Sequence, residues 1–285
     1  MRYREYPPSE ALRGVVHRFW TLRGDAPGPG SDFQRAMPDG RPELVFNLAD
    51  RFESRRHGTT ERQPAALVVG PTTTALALRP TGRIDIVGVR LVPGPWPGLL
   101  GMRADELLDR ALALSDLSPR WREDLLEPLA DAAGDRARIA VLERRLVRLA
   151  ARSGPGDPRL RRAVDLTLRG TVRRVGRLAE LSGVSERQLI RLFREGTGMT
   201  PGLLGRVARF QGVLGAVERP GPVRWSRLAH QQGYCDQAHL CRDFRRFAGL
   251  APRRYLAAYR EVTRHFVEAS SGHGGFVQDG PAPPL

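Results

Sequence analysis

The period of the hydrophobic positions changes along the chain. Up to about Pro93 the apolar residues fall in short runs bounded by turn residues: Val15–Leu22, LVFNL (Leu44–Leu48) after the turn cluster Pro38–Pro42, LVVGP (Leu67–Pro71), ALAL (Ala75–Leu78) and RIDIVGVRLVPG (Arg83–Gly94). In the last of these Ile84, Ile86 and Gly88 alternate with Asp85, Val87 and Val89, the two-residue period of a strand. Gly and Pro punctuate nearly every run, which predicts a β-sandwich or barrel-like domain rather than a parallel sheet. From Pro95 the period becomes helical. WPGLLG, ADELLDRALAL and RWREDLLEPLADA read as short helices, and ARIAVLERRLVRLAAR (Ala137–Arg152) as a longer one. Its Ile139, Leu142, Leu146 and Leu149 form a stripe that suits a dimer helix or, better at two heptads, packing on its own β domain. SGPGDP (Ser153–Pro158) has linker composition. Beyond it the pattern predicts seven helices: one from about Arg159 to Arg169, two pairs, a connector from Pro201 to about Val217, and a last one starting at Pro252. The fold class expected is α+β in two domains: residues 1–154 β-rich with trailing helices, residues 155–264 all-α, and residues 265–285 a tail too poor in large apolar residues to fold.

The two helix pairs repeat one another. Leu178, Ala179 and Gly183 recur as Leu228, Ala229 and Gly233, fifty positions on; Arg191, Phe193, Gly198 and Pro201 recur as Arg242, Phe244, Gly249 and Pro252, fifty-one positions on. The extra residue lies in the second turn. Ser185 in SERQ fits the N-cap of the first copy's second helix, Asp236 that of the second copy, and Thr200 caps the connector ahead of Pro201. A short apolar helix, a Gly-containing turn and an amphipathic second helix make a helix-turn-helix. Two of them in one chain suit the reading of two adjacent stretches of DNA major groove.

Charge follows the repeat. The chain carries 46 Lys+Arg and 31 Asp+Glu, a net of +15. Residues 155–264 hold 22 Arg against 9 acids, a net of +13, whereas residues 1–154 hold 24 Arg against 20 acids, only +4. The excess is therefore local, as in a nucleic-acid footprint beside a near-neutral partner domain. Every basic residue is Arg, which reflects base composition more readily than selection for bidentate chemistry. No apolar run approaches the roughly 18 residues that span a bilayer, and no apolar stretch follows the charged N-terminus. The chain reads as cytoplasmic, with no membrane partner. The two cysteines, Cys235 and Cys241, sit about 9 Å apart along one helix on different faces, so no disulfide is expected. His17 and His57 are isolated, and neither a metal nor a cofactor is expected.

In the second helix of each pair the apolar face is Leu189, Leu192 and Phe193, or Leu240 and Phe244. The opposite face, expected in the groove, is Arg187, Ile190, Arg191 and Arg194 in the first copy and Ala238, Cys241, Arg242 and Arg245 in the second. Gln188, Gln237 and His239 lie at its edge, His239 more as a packing residue. Arg bridges guanine O6 and N7, Gln pairs with adenine, and Ile190 suits a thymine methyl, which makes Arg191 and Arg242 the principal readers. Ser185, Arg206, Arg227, Arg253, Arg254 and Tyr255, near helix starts and turns, suit phosphate contacts. Trp20, Phe46, Asn47 and Arg90, aromatic or polar groups on predicted strands, are weaker candidates for an effector pocket.

The paired motif, with GTGMTP and AGLAPRRY closing its halves, resembles the DNA-binding domain of the AraC/XylS family of bacterial transcription regulators over roughly Arg159 to Arg260. The resemblance implies two recognition helices joined by a connecting helix. The chain departs from the pattern at Ala251, where a cap residue is usual, and at Ala238, a short side chain at a reading position. PDGRPELVFNL, VVGP and RPTGRIDIVGVRLVPG resemble, less specifically, the sensor region of a subset of the family. The function implied is a one-component, sequence-specific regulator that answers a small-molecule effector, forms a homodimer in some members, and touches RNA polymerase where it activates. The alternative is an enzyme fused to a DNA reader, such as an alkyl-transfer repair protein. That chemistry needs a nucleophilic thiol outside the reader, and residues 1–154 contain no Cys. No G-x-S-x-G, metal-spaced His pair or phosphate-cradling glycine loop occurs either, so no enzymatic activity is expected.

Overall fold

The computed structural model describes residues 1–26, 33–56, 58–118, 122–154, 156–219 and 221–257. The predicted tail, 265–285, lies outside them. The N-terminal half is built from strands β1 (Arg2–Tyr6), β2 (Val16–Asp25), β3 (Gln34–Ala36), β4 (Glu43–Asn47), β5 (Glu53–Arg56), β6 (Thr59–Arg62), β7 (Ala66–Val69), β8 (Leu76–Arg79), β9 (Arg83–Leu91) and β10 (Ala111–Ala113). Six of them form one sheet in the order β1-β2-β9-β4-β7-β10, and four form a second, β3-β8-β5-β6. Every pairing is antiparallel.

β9 is central and buried on both faces, which explains its near-continuous apolar sequence. Ile84 and Ile86 join Trp20, Val45, Phe52 and Leu67 in one cluster. Val87, Val89 and Leu91 point the other way, into a core shared with Phe19, Phe46 and the helices. Gly88 is required where it stands: a Cβ there would overlap the Trp20 indole, which crosses the strand at that point.

Four α-helices follow among the described residues of this half: α1 (Trp96–Leu100), α2 (Leu114–Leu117), α3 (Glu127–Asp131), which a π-helical turn at Arg122–Leu126 leads into, and α4 (Gly134–Ser153). The apolar stripe of α4 lies against the sheet, with Ile139, Leu142 and Leu146 buried and Leu149 packed on the same core. Arg138 secures it, donating to the Asp85 carboxylate at 2.7 Å and the Leu129 carbonyl at 3.1 Å. The stripe therefore serves its own domain and is not available as a dimer seam. One predicted helix is corrected. ADELLDRALAL forms a single 3-10 turn, Ala104–Leu107, and then the edge strand β10 against β7. The break is at Asp109, the one non-glycine residue with positive φ (56°) among the described residues. Asp is among the few residues besides Gly that visit this conformation, and here its carboxylate is anchored from a distant loop, accepting from the Thr73 amide at 2.6 Å and hydroxyl at 2.5 Å.

The C-terminal half comprises α5 (Pro158–Leu168), α6 (Val175–Ser182), α7 (Glu186–Thr197), α8 (Pro201–Val217), α9 (Trp225–Gln231) and α10 (Gln237–Ala248), and residues 252–257 are helical. The apolar side of α8 (Leu204, Val207, Phe210, Val213, Leu214, Val217) is the spine of one continuous core that also takes in Phe193, Phe244 and Phe247. Phe244 meets Phe210 edge-on at 5.2 Å and Tyr255 at 5.5 Å. The two halves touch. Gln211 Nε2 donates to the Pro38 carbonyl at 2.8 Å, the Ala75 amide donates to the Phe247 carbonyl at 2.7 Å, and Met37 and Leu108 pack on the C-terminal core.

Candidate nucleic-acid interface

The repeat seen in the sequence is a repeat of hydrogen bonds. In the first turn Gly183 has φ +66°, its amide donates to the Glu180 carbonyl at 3.1 Å, and the Val184 amide donates to the Ala179 carbonyl at 3.1 Å. In the second, Gly233 has φ +76°, its amide donates to the His230 carbonyl at 3.0 Å, and the Tyr234 amide donates to the Ala229 carbonyl at 2.9 Å. All four positions correspond, fifty apart. Glycine is needed at both turns because only it adopts this conformation without steric cost. The first copy then reaches its cap in two residues and the second in three. Ser185 Oγ accepts from the Gln188 amide at 3.2 Å, and Asp236 Oδ1 from the His239 amide at 2.6 Å, so each starts its recognition helix by satisfying an otherwise unpaired amide.

α7 and α10 bury the faces the pattern predicts: Leu189 and Phe193 in one, Leu240 and Phe244 in the other. Arg187, Arg191 and Arg194 are exposed on the far side of α7, and Ala238, Arg242 and Arg245 on that of α10; Gln237 is exposed and Gln188 and Ile190 are half-buried. One member of the predicted face turns toward the flank instead, and His239, expected as a packing residue, packs there too. Cys241 packs against the edge of the core, and His239 meets the Tyr234 ring edge-on at 5.2 Å with Asp243 4.0 Å away. The second copy thus presents a face with one arginine fewer than the first.

The predicted phosphate-contact residues divide in two. Arg227, Arg253 and Arg254 are exposed. Ser185 is engaged as a cap. Arg206 is bound by a bidentate pair to Asp243, with Nη2 to Oδ1 at 2.5 Å, so its fork is occupied. Tyr255 is corrected outright: it is 1% exposed, packed on Phe244, and its hydroxyl donates to Glu218 at 2.8 Å, which leaves nothing for a phosphate. Sequence reasoning passed over Arg174 and Arg224, the exposed N-cap residues of α6 and α9, which are also fifty apart. Carrying the repeat alignment four residues upstream of Leu178 and Leu228 finds them. Both stand exposed at the start of their helices.

The N-terminal half leans on the first recognition helix. Arg103 lies 3.5 Å from Glu195, and a Cβ on Gly198 would press on the Ala104 carbonyl. The Arg103 guanidinium holds the Asp105 carboxyl below its ordinary value, and Arg194 of α7 adds to that effect.

The four candidate pocket residues do not converge. Phe46 is fully buried on the helix side of the large sheet. The register Trp20↔Gly88↔Val45 and Leu22↔Ile86↔Asn47 puts Trp20 and Asn47 on the opposite face, one row apart. Trp20 Nε1 and Asn47 Oδ1 are buried there without a hydrogen-bond partner, although Asn47 Nδ2 donates to the Pro64 carbonyl at 3.0 Å. Arg90 shares that face, but its Nε donates to Glu43 at 2.6 Å, with Asp39 at 3.5 Å. Burial raises the Glu43 carboxyl, and Arg90 works against that rise. Among the described residues no group of His, Cys, Asp and Glu is arranged to hold a metal, and no helix is long and apolar enough to cross a membrane.

Comparison with known proteins adds to this geometry. Residues 178–258 match a family model described as a helix-turn-helix domain, and residues 4–113 match one described as a domain of unknown function (DUF6597). No curated protein matches the chain. Among solved structures it is similar to ToxT from Vibrio cholerae O395, at 9% identity over 84% of this chain and 97% of that one with a TM-score of 0.46. It is also similar to unsaturated fatty acid-bound ToxT from Vibrio cholerae strain SCE256 (10% identity, 85% and 94% coverage, TM-score 0.41) and to the AraC-like transcriptional activator CuxR (14%, 70% and 73%, TM-score 0.26). The chain thus joins a β-rich domain that matches a domain of unknown function to a helical half that contains a helix-turn-helix domain.

Proposed function

We propose that the chain is a one-component, cytoplasmic regulator that reads two successive major-groove segments with α7 and α10 and answers a small molecule held by its N-terminal half, acting by binding rather than turnover. The observation that carries the DNA reading is the pair of equivalent exposed arginines, Arg191 and Arg242, on two capped helices fixed to one connector, α8. Arg187 and Gln188 of α7 and Gln237 of α10 supply further base contacts; Arg174, Arg224, Arg227, Arg253 and Arg254 supply phosphate contacts. The effector reading is supported by Trp20 Nε1 and Asn47 Oδ1. A buried donor and acceptor without partners are costly, and a ligand that supplies both would remove that cost. Footprinting the full chain on DNA upstream of its own gene tests the assignment: two protected segments about 10 base pairs apart on one face of the duplex are expected. Uniform, sequence-independent protection would overturn it.

A further inference from the structure

The two helix-turn-helix units do not close fully on one another. Between them lies a cleft of about 270 Å³, bounded by the α5–α6 turn, one side of α8 and the end of α9. Its polar wall is Arg169, Arg173, Arg209, Gln231 and Gln232, and Val172 and Leu178 give it an apolar patch. None of the residues lining it is acidic, so the wall carries three positive charges with no counter-charge inside. Arg169 is tied outward to Asp165 at 2.8 Å. The other two arginines are not paired with an acid among the described residues. Arg209 lies against the Tyr234 ring at 5.4 Å, and its Nε is buried without a partner. Arg173 reaches across the gap from the first unit to donate to the Gly233 carbonyl in the turn of the second, at 3.2 Å.

On its α8 side the cleft is lined by small residues, among them Gly202, Gly205, Ala208 and Gly212, with Arg209 beside them. Gly202 and Gly205 line it, yet packing does not demand glycine at either. A Cβ on Gly202 meets nothing within 4 Å, and one on Gly205 meets only the Thr167 methyl at 3.6 Å and Arg209 Nη1 at 4.0 Å, ordinary contacts. Neither has positive φ. Glycine disfavours a helix, so these positions weaken α8 while keeping open a space that alanine-sized packing would not require.

We infer that this cleft binds a small organic anion, a carboxylate or phosphate head on a compact apolar body, with Arg209 and Arg173 holding the head and Val172 and Leu178 receiving the body. The guanidinium fork suits either head, and the volume admits only a small ligand. Because Arg173 and Gly233 belong to different units, the occupant sets the separation of α7 and α10. That consequence rests on the DNA-reading function; the binding itself does not.

The test is calorimetric titration of the full chain with benzoate, phenyl phosphate and, as a head without a body, inorganic phosphate. One molecule of benzoate or phenyl phosphate should bind per chain, at least about tenfold more tightly than inorganic phosphate. Gly205→Leu, which fills the cleft, and Arg173→Gln, on an exposed side chain that leaves the core intact, should each weaken that binding about tenfold or more. Failure of both organic probes to saturate, or equal binding by the wild type and a folded Arg173→Gln variant, overturns the site. On DNA carrying both half-sites, unchanged affinity in the presence of a saturating probe overturns the spacing role. Loss of all sequence preference by the ligand-free chain would instead overturn the DNA-reading assignment and leave the cleft's binding intact.

Discussion

Arg206 on the connector and Asp243 on the second recognition helix form a bidentate ion pair whose acid side chain is only 3% exposed, against 32% for the arginine. The asymmetry predicts unequal variants. Arg206→Ala strands a buried carboxylate and should cost about 3–5 kcal/mol, whereas Asp243→Ala leaves a guanidinium that still reaches water and should cost less. Urea denaturation of the two variants checks the order. Equal losses would mean that the pair orients α10 without the burial cost assigned to Asp243.

Arg191→Ala and Arg242→Ala should each weaken binding to specific DNA by about 1–3 kcal/mol and relax base preference in separate half-sites. Equal weakening on specific and random DNA, measured by competition at fixed salt, would reassign both as phosphate contacts. Arg174→Ala and Arg224→Ala should show that second behaviour, with the salt slope reduced by about 1 in each.

Phe193 and Phe244 occupy equivalent places under the two recognition helices and are 0% and 1% exposed. Truncating either to Ala should destabilise the reader by about 3–5 kcal/mol and abolish DNA binding through unfolding rather than lost contacts. The opposite change is expected at Gly215, exposed in the last turns of α8, where an added methyl would meet nothing within 4 Å. Gly215→Ala should stabilise the chain by up to about 1 kcal/mol. Thermal melts of the three variants decide both statements.

The elements legible in the sequence are those whose apolar period survives in three dimensions. β2, β4, β7, β8 and β9 each lie on a run that reads as a strand, and all seven C-terminal helices fall where expected. β5 and β6 are not legible, because ESRR and TTER expose mostly polar side chains and their pairing rests on backbone bonds and on contacts such as Arg79 with Glu53. β10 is hidden inside a helix-like apolar run broken only by the conformation of Asp109. Tyr255 misleads because it stands near a helix start; its three-residue spacing from Pro252 turns it inward toward Phe244. That Trp20 and Asn47 share a face follows only from strand register, which no single-strand pattern contains.

Burial, followed by the guanidiniums of Arg41, Arg18 and Arg90, pushes the His17 imidazole down from 6.5 to about 4. A histidine whose folded value is depressed binds its proton more readily when unfolded. Stability is therefore full above about pH 6.5 and declines as pH falls toward 4. His17→Gln should remove this part of the acid sensitivity while leaving the loss at still lower pH, where Asp135 and Asp157, both depressed, become protonated. Denaturant midpoints of the two proteins at pH 7 and pH 5 measure it; parallel declines would exclude His17.

The last prediction concerns the division between the halves. A fragment beginning at Gly156 keeps the continuous core around α8 and nearly all the excess charge, so it should fold and bind DNA with a steep salt dependence. It loses Met37 and Leu108 from the edge of that core, the Gln211 bond to Pro38 and the Arg103 contact with Glu195. Its melting temperature should therefore fall below that of the same region in the full chain. Residues 1–154 should not bind DNA, and any ligand that pairs with Trp20 Nε1 or Asn47 Oδ1 should raise their melting temperature by mass action. Because Arg103 and Ala104 rest on the C-terminal end of α7, the fragment should also bind its operator more tightly than the ligand-free full chain if that contact restrains the helix. Equal operator affinity for fragment and full chain would mean that the two halves touch without communicating.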